Sequence, residues 1–416
     1  MRATANRAIS LGIMGAVLLL VSAVLPAQLP EPAFHGRIRH QLGVTIGDLE
    51  IVRNAVTAEL EITVRGSSVG VFVNPYLETE PGSLTTVGLR EAYLDAYSRH
   101  VDVRLGRQIV IWGKSDGLAI TDIVSPRDLS SFLIPEFREL RLPVTAAKAN
   151  AYLGPAELEL IYIPVFTPSI LPSPDSIWFA AFDAPVEPTL NPAPDVGSGV
   201  EDGEYYARLR LMGGRGDLDL AGGYFWTNEP APTIEREFSA PGVPSGITVT
   251  PEHYRQTMAG GAFSSALGPI IVRGESAWFT PVRVRTSDPA DAHGYAVTDR
   301  ISSLVGIDTV VAGLDLSAQL MHEYLVGHSE TMEQDEHSYT ATLRVRRSFF
   351  REQLVMDAFG YAGINEPDAL VKVGTTWTPA DALSFRIETN LLFGESGRFG
   401  DLSTNDLIVV TAQYRF

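Results

Sequence analysis

Most of this chain follows a strict alternation of apolar and polar side chains. From Val56 to Arg65 every second residue is apolar, and the residues between them are threonine, glutamate or arginine. Because successive side chains in a strand point to opposite faces, each such run predicts a β-strand with one apolar and one polar face. The spacing of an α-helix fits none of these runs. Similar runs occur at 205–211, 217–226, 314–320, 339–346 and 383–391.

The runs and their connections together predict the fold class. A β-sandwich has no reason to sort its loops by length, whereas an antiparallel up-and-down transmembrane β-barrel has short turns on one rim and long loops on the other. We therefore predict an all-β barrel of about 18 strands, with 16 as the alternative. The strands are expected at 35–46, 54–65, 68–78, 86–98, 100–111, 146–153, 156–167, 203–212, 217–228, 253–266, 270–281, 295–308, 313–325, 337–348, 352–362, 369–378, 383–393 and 406–416. The long connections are 112–145, 168–202, 229–252, 282–294, 326–336 and 394–405.

The first 27 residues have the features of a secretory signal peptide. Arg2 and Arg7 precede an apolar run from Ile9 to Leu25, and small residues near its end allow cleavage after Ala23 or Ala27. An N-terminal transmembrane anchor is the weaker alternative, because the run is short and a proline-rich segment follows it. Residues 28–416 would then form a single domain, the barrel.

The last strand carries a second signal. Residues 406–416 alternate and end on the aromatic Phe416. Such a terminal strand resembles the signal by which outer-membrane barrels are recognised for insertion. We therefore expect a protein of the outer membrane of a Gram-negative bacterium. Its partners would be outer-membrane lipid and the barrel-insertion machinery, which would bind the strand ending in Phe416.

The composition argues against several classes of function. The chain contains no cysteine, which removes disulfides and thiolate metal sites. A net charge of −18 argues against nucleic acid as a partner. His322 and His328 lack the spacing and the third ligand of a metal site. No serine has the context of a catalytic nucleophile, so we predict neither enzyme activity nor a cofactor.

If the apolar faces contact lipid, the polar faces line the interior of the barrel. An 18-strand barrel is wide enough for a water-filled channel unless something fills it. The simpler interpretation of the wall charges is that they solvate the wall and pair across strands. The alternative is that the arginine clusters set the local field for a small solute of unknown identity. The predicted lumen-wall residues are Arg208, Arg210, Arg273, Glu275, Arg344, Arg346, Arg386 and Glu388.

The segment from Arg104 to Pro143 interrupts the alternation. After the end of a strand it continues for about thirty residues with charges, prolines and scattered apolar side chains. A connection of this length is uncommon inside a compact domain unless it is functional. We predict a loop folded onto or into the mouth of the barrel. Gly106 and Gly113 would let the chain bend, and Trp112 would anchor the bend at the rim.

The charged residues of this loop are candidates for a constriction. For Asp122, Arg127 and Asp128 the simpler interpretation is structural, because loop carboxylates beside prolines usually cap turns. The second long loop, 168–202, carries an apolar patch at 177–179 among prolines. That patch fits a lid, a first contact for an apolar solute, or a packed loop. The candidate constriction residues are Lys114, Asp116, Asp122, Arg127, Asp128, Arg138, Glu139 and Arg141.

Short motifs occur in and after this loop. They are Gly106-Arg-Gln-x-x-x-Trp-Gly113, Asp122-x-x-x-Pro-x-Asp-Leu129, Arg141-Leu-Pro143, and Tyr162-Ile-Pro-Val-Phe-Thr-Pro168 with Leu171-Pro172. Together they resemble the motifs of a family of Gram-negative outer-membrane β-barrels whose biochemical function is unassigned. The resemblance covers about 65 residues and implies a barrel in the cell envelope with a role in transport. It supplies no substrate and no catalytic residues.

These observations predict a porin-like channel for the passive passage of small solutes, constricted or plugged by the loop at 112–145. Two alternatives remain open. A transporter of hydrophobic compounds would have a dry lumen that opens laterally. A closed structural or adhesion barrel would conduct no ions.

Overall fold

The computed structural model describes residues 30–115, 117–132, 134–135, 139–179, 186–197, 199–240, 243–288, 291 and 293–416. The predicted signal peptide with both cleavage sites lies outside the described residues. Asp116 and Arg138 of the candidate constriction lie outside them as well. Within the described part of the chain, no helix is long and apolar enough to cross a membrane.

The alternating runs form a closed antiparallel β-barrel of 18 strands, as predicted. The barrel closes because β1 pairs with β2 on one side and with the last strand on the other, where Arg37 lies opposite Arg415. All strands except β8, β11 and β12 belong to the barrel. The strands are β1 (Ala33–Thr45), β2 (Ile51–Arg65), β3 (Val69–Thr79), β4 (Thr86–Ala96), β5 (Val101–Gln108), β6 (Val144–Leu153), β7 (Ala156–Ile163), β8 (Thr189–Leu190), β9 (Glu204–Met212), β10 (Gly216–Trp226), β11 (Ala231–Ala240), β12 (Val243–Glu252), β13 (Arg255–Leu267), β14 (Ile270–Arg285), β15 (Tyr295–Val311), β16 (Leu314–Val326), β17 (His337–Phe349), β18 (Leu354–Gly363), β19 (Ala369–Ala380), β20 (Leu383–Phe393) and β21 (Leu407–Arg415).

The connections sort by length onto two rims. On one rim, the turn rim, short turns such as 154–155 and 312–313 join neighbouring strands. On the other, the loop rim, lie the longer connections, of which the largest are 109–143, 164–203 and 227–254. The last of these was predicted as a loop. It contains β11 and β12, which pair with each other, and β12 also pairs with β8 in a small sheet separate from the barrel.

The two faces of the barrel wall differ as the alternation predicts. On β2, Val56 is exposed on the outside, whereas Thr57 and Glu59 are buried inside. An apolar outer surface is what lipid requires of a membrane-spanning barrel. Exposed apolar residues occur around the outside, among them Leu105, Leu160, Leu220, Val305, Leu343 and Ile387.

Many polar side chains of the inner wall are buried. A water-filled lumen would leave the polar inner wall exposed. Instead, buried polar side chains are found on strands around the circumference, where loop segments and neighbouring wall side chains contact them. These buried wall residues include Gln41, Glu59, Asn74, Glu159, Asp219, Glu275, Gln319, Thr342 and Asn390.

Two hydrophobic clusters hold loop segments inside the barrel. In the plug cluster, Trp112 and Ile120 of loop 109–143 pack with wall residues that include Tyr206 and Met258. In the upper cluster, Trp178 of loop 164–203 packs with residues of β19 to β21 and with the short helix α1 (Gly397–Gly400). Loop 109–143 contributes to both clusters, so it is fixed at two levels of the barrel.

Candidate functional site

Loop 109–143 leaves the barrel wall at β5 through two glycines. Gly106 has a φ of +132° and Gly113 a φ of +81°, conformations that residues with a side chain rarely adopt. A Cβ atom at Gly106 would also meet the backbone carbonyl oxygen of Ala92 on β4. The positive φ values fit the bends predicted at both positions.

Trp112 lies inside the barrel and not at its rim, where the sequence placed it. The chain turns inward before this residue, so the side chain is carried into the lumen, where it is 2% exposed. Its indole N–H donates to Oε1 of Glu159 on β7 at 2.7 Å. The ring packs edge-on against Tyr206, with the Arg208 guanidinium 5.4 Å from the ring centroid.

Glu275 on β14 accepts a cluster of hydrogen bonds from the loop tip. Its Oε1 accepts the backbone N–H groups of Lys114 (2.7 Å) and Ser115 (3.0 Å) and the Ser115 hydroxyl (2.6 Å). Its Oε2 accepts the N–H of Ile120 (3.1 Å) and both the N–H and the hydroxyl of Thr121 (3.0 Å each). The loop tip therefore curls around one carboxylate, which satisfies backbone donors that no ladder pairs. We name this arrangement the deep latch.

Lys114 ties the deep latch to the neighbouring wall. Its ammonium group contacts Asp217 and lies 3.5 Å from Asp219, both on β10. Its carbonyl oxygen accepts a hydrogen bond from Arg273 on β14 at 2.6 Å, and Arg273 also donates to Asp308 on β15 at 2.6 Å. Asp217 is next to the turn rim, so the loop reaches through most of the height of the barrel.

A second attachment lies at the wall of β1 and β4. Glu139 forms ion pairs with Arg39 and, at 3.1 Å, with Arg37. Its carbonyl oxygen accepts a hydrogen bond from Arg90 on β4 at 3.0 Å. Burial opposes ionisation of the Glu139 carboxyl, but these arginines outweigh it and hold the pKa of Glu139 below its ordinary value. We name this attachment the arginine latch.

The other charged residues of the loop bond mainly to the loop itself. Oδ1 of Asp122 accepts the N–H of Trp112 at 2.9 Å, and its Oδ2 accepts the guanidinium Nε of Arg141 at 2.9 Å. Asp128 accepts both the N–H and the hydroxyl of the serine two residues later, at 3.0 and 2.6 Å. The backbone of Arg127 bridges to Arg141. These contacts correspond to the structural interpretation of these residues.

Four of the wall arginines singled out from the sequence are used in ion pairs, and those of Arg208, Arg210 and Arg273 join neighbouring strands. Such pairs correspond to the simpler interpretation of the wall charges. Arg344 and Arg346 line a cavity near the turn rim. The pairs are Arg208 with Glu159 (3.1 Å), Arg210 with Glu157 (3.4 Å), Arg273 with Asp308 (2.6 Å), and Arg386 with Glu388 on its own strand (2.6 Å) and with Asp357 on β18 (2.7 Å).

The apolar patch of loop 164–203 packs over the barrel at the loop rim. The ring of Trp178 lies 5.8 Å from that of Phe132, whose ring lies 6.1 Å from Phe399 in α1. The side-chain amide of Asn405 donates to the carbonyl oxygen of Ile177 at 2.6 Å. Three connections of the loop rim therefore meet in the upper cluster, an arrangement that fits both the lid and the packed loop among the predicted alternatives.

Several residues of the site were not singled out from the sequence. Arg37, Arg39, Glu159 and Asp217 hold the loop, and each sits on a strand. The alternation is a signal that would place each of them on the inner face, but it gives no partner. Among the described residues, no group of three or more His, Asp and Glu side chains is placed to hold a metal ion.

Comparison with known proteins shows which family this chain belongs to. The family model described as "Protein of unknown function (DUF1302)" matches residues 78–416, from the end of β3 to the last residue. The chain belongs to this family. No curated protein matches the sequence.

Solved structures share the fold of this DUF1302 chain at low identity. The Acinetobacter baumannii OccAB2 structure has a TM-score of 0.56 at 9% identity, covering 93% of this chain and 98% of that one. Pseudomonas aeruginosa OccK8 (OprE) has a TM-score of 0.55 at 11% identity, with coverage of 93% and 98%. Acinetobacter baumannii OccAB3 has the same TM-score and identity, with coverage of 93% and 99%. At these identities the likeness shows the fold, a porin-like transmembrane β-barrel.

Proposed function

We propose that this protein is a passive, porin-like channel of the outer membrane for small polar solutes, and that loop 109–143 keeps it closed until the loop is released. The observation that carries the proposal is the deep latch. The loop tip is attached to the wall by charge-assisted hydrogen bonds to Glu275. Such bonds hold a loop closed, yet water can replace them once the loop leaves, as a gate requires.

The loop is anchored unequally on the two sides of the lumen. The plug cluster packs Trp112, Leu118 and Ile120 with wall residues of β6 to β16. Towards β18 the loop tip approaches the wall at Gly117, where a Cβ atom would lie 3.1 Å from the Phe359 ring. We expect the tip to leave the wall of β10 and β14 when the latches release, and to open a path along β16 to β20.

The wall favours polar solutes over the hydrophobic alternative. The ladder between β4 and β5 joins Ala92–Ala96 only, so the loop-rim half of β4 has no partner strand on that side. A lateral route for apolar compounds would pass this gap. Charged groups occupy it, because the Arg107 guanidinium donates to the Leu89 carbonyl at 3.0 Å and Glu91 accepts the N–H of Ile109 at 2.8 Å. Desolvated charge would oppose an apolar solute there.

Conductance of the refolded protein in planar bilayers tests the proposal. We expect rare openings of the full barrel and large, lasting steps after deletion of residues 114–139, which removes both latches. The matched control deletes residues 231–252, a segment of similar length in the small sheet outside the barrel, and should behave as the full chain.

Two results would overturn the channel function. One is silence of the 114–139 deletion while it migrates as a folded barrel in unheated gels, which would favour a structural barrel or a hydrophobic transporter. The other is fractionation of the protein away from the outer membrane in its native cell, which would remove the assigned location.

A further inference from the structure

A cavity of about 250 Å³ lies at the turn rim of the barrel, between β14 and β17. Its charged wall consists of Asp308, Asp315, Arg344 and Arg346, with the hydroxyl group of Ser317 beside them. The volume falls just below that of pockets for drug-sized ligands, so the cavity suits a solute of a few heavy atoms. It lies on the side of the barrel along which the open path is expected.

The carboxylates on either side of this cavity already have cationic partners. Asp308 pairs with Arg273 at 2.6 Å. Asp357 on β18, which lies opposite Arg346 in the ladder, accepts two hydrogen bonds from Arg386, at 2.7 and 2.9 Å. Neither carboxylate is therefore available to neutralise Arg346.

Asp315 and Arg346 differ from these pairs. They lie directly opposite each other on β16 and β17 and face the same cavity. Side chains in opposite positions of antiparallel strands are close enough to pair. Yet among the described residues neither Asp315 nor Arg346 has a hydrogen-bond or ion-pair partner, including each other. The Asp315 carboxylate and the Arg346 guanidinium can therefore both accept a further hydrogen-bonding partner.

We propose that Asp315 and Arg346 form a binding site for a small zwitterion of the α-amino-acid type. The guanidinium fork of Arg346 binds the carboxylate of the solute, for which its two parallel N–H donors are suited. The carboxylate of Asp315 accepts hydrogen bonds from the ammonium group. A solute with both charges satisfies both residues, whereas a simple anion or cation satisfies one and is repelled by the other.

The expected affinity is weak. The site lies at the mouth of the barrel, and Asp315 is exposed to water, so we expect a dissociation constant on the order of 1 mM. A solute that must leave a channel has to be bound loosely. The use of the site in passage rests on the channel function proposed above, but the binding itself does not.

Saturation-transfer NMR of the detergent-solubilised full barrel tests the site with L-alanine as the probe. Propionate and isopropylamine, which each carry one of the two charges, are the comparison ligands. We expect saturable binding of alanine, and at least tenfold weaker binding of both comparison ligands. Arg346→Gln and Asp315→Asn should each weaken alanine binding about tenfold, and the exchange Asp315→Arg with Arg346→Asp should restore it.

The matched control is Arg347→Gln. Arg347 follows Arg346 on β17, and its guanidinium lies over the Phe349 ring, on the outer face. This variant should bind alanine as the wild type does, and unheated gels should show that every variant is folded. Alanine binding that survives Arg346→Gln would overturn the site. Binding of propionate or inorganic phosphate that is as strong as the binding of alanine would overturn it too.

The site and the channel can fail separately. Alanine binding to a barrel that stays silent after deletion of residues 114–139 would support the site and refute the channel function. Conductance of the deletion variant without alanine binding to the full barrel would support the channel and refute the site.

Discussion

Thr121 donates both its backbone N–H and its hydroxyl to one oxygen of Glu275, each at 3.0 Å. A hydrogen bond to a charged group contributes about 1.5–3 kcal/mol net, and the carboxylate of Glu275 accepts several of them from the loop tip. Even a latch of about 4 kcal/mol would leave the loop released for only about one part in a thousand of the time. The closed barrel is therefore the expected resting form.

Glu275→Gln should raise the open fraction of the channel by about ten- to a hundredfold. The amide keeps the shape of the side chain, but it loses the charge and turns its own N–H group towards the loop donors. Single-channel recording measures the change. Glu323→Gln is the matched control, because Glu323 lies on the inner wall and bonds to Ser302 and Arg300 on β15. Equal open fractions in Glu275→Gln and wild type would contradict the gating role of the deep latch.

The sequence predicted the wall of the barrel better than its contents. The alternation from Val56 to Arg65 lies within β2, and the same period puts Glu275 inside and Trp278 outside, because side-chain direction in a strand is set locally. No local pattern shows which donors Glu275 accepts, since Thr121 is 154 positions away. Trp112 was misplaced for the same reason. The direction in which the chain turns after Gly106 depends on wall residues that contact the Trp112 indole and are distant from it in the sequence, such as Glu159.

Acidification should open the channel through the arginine latch. The pKa of Glu139 is lowered in the folded protein, so its ion pairs stabilise the closed loop fully at pH values above its ordinary pKa. That stabilisation is lost as pH falls through the lowered pKa and the carboxylate is protonated. The open fraction should therefore rise on acidification below about pH 4.5.

Glu139→Gln separates this effect from other titrations. It removes the charge that Arg37 and Arg39 neutralise, so the variant should already be more open at neutral pH. Its remaining response to acid should be smaller than that of the wild type. An identical acid response in both proteins would assign the effect to another carboxylate.

Trp112→Ala should loosen the plug cluster without unfolding the barrel. Removing a buried tryptophan side chain costs about 3–5 kcal/mol, and the variant also loses the bond to Glu159. We expect cleavage within loop 109–143 by an added protease, at a rate well above that of the wild type. Trp112→Phe keeps most of the packing and should be cleaved at an intermediate rate. Resistance of Trp112→Ala would mean that the two latches alone hold the loop.

Cross-linking the loop tip to the wall should silence the channel. The chain has no cysteine, so Lys114→Cys with Asp217→Cys introduces one pair at a contact of the deep latch. Before modification this double variant lacks the ion pair and should open more often than the wild type. A short bifunctional thiosulfonate reagent then cross-links the two positions and should abolish the openings, and a reductant should restore them.

Each single cysteine variant, treated with the same reagent, controls for simple blocking of the lumen. If the cross-linked double variant conducts as well as the untreated one, loop 109–143 is not the gate, because its tip would be fixed to β10 while solutes still pass.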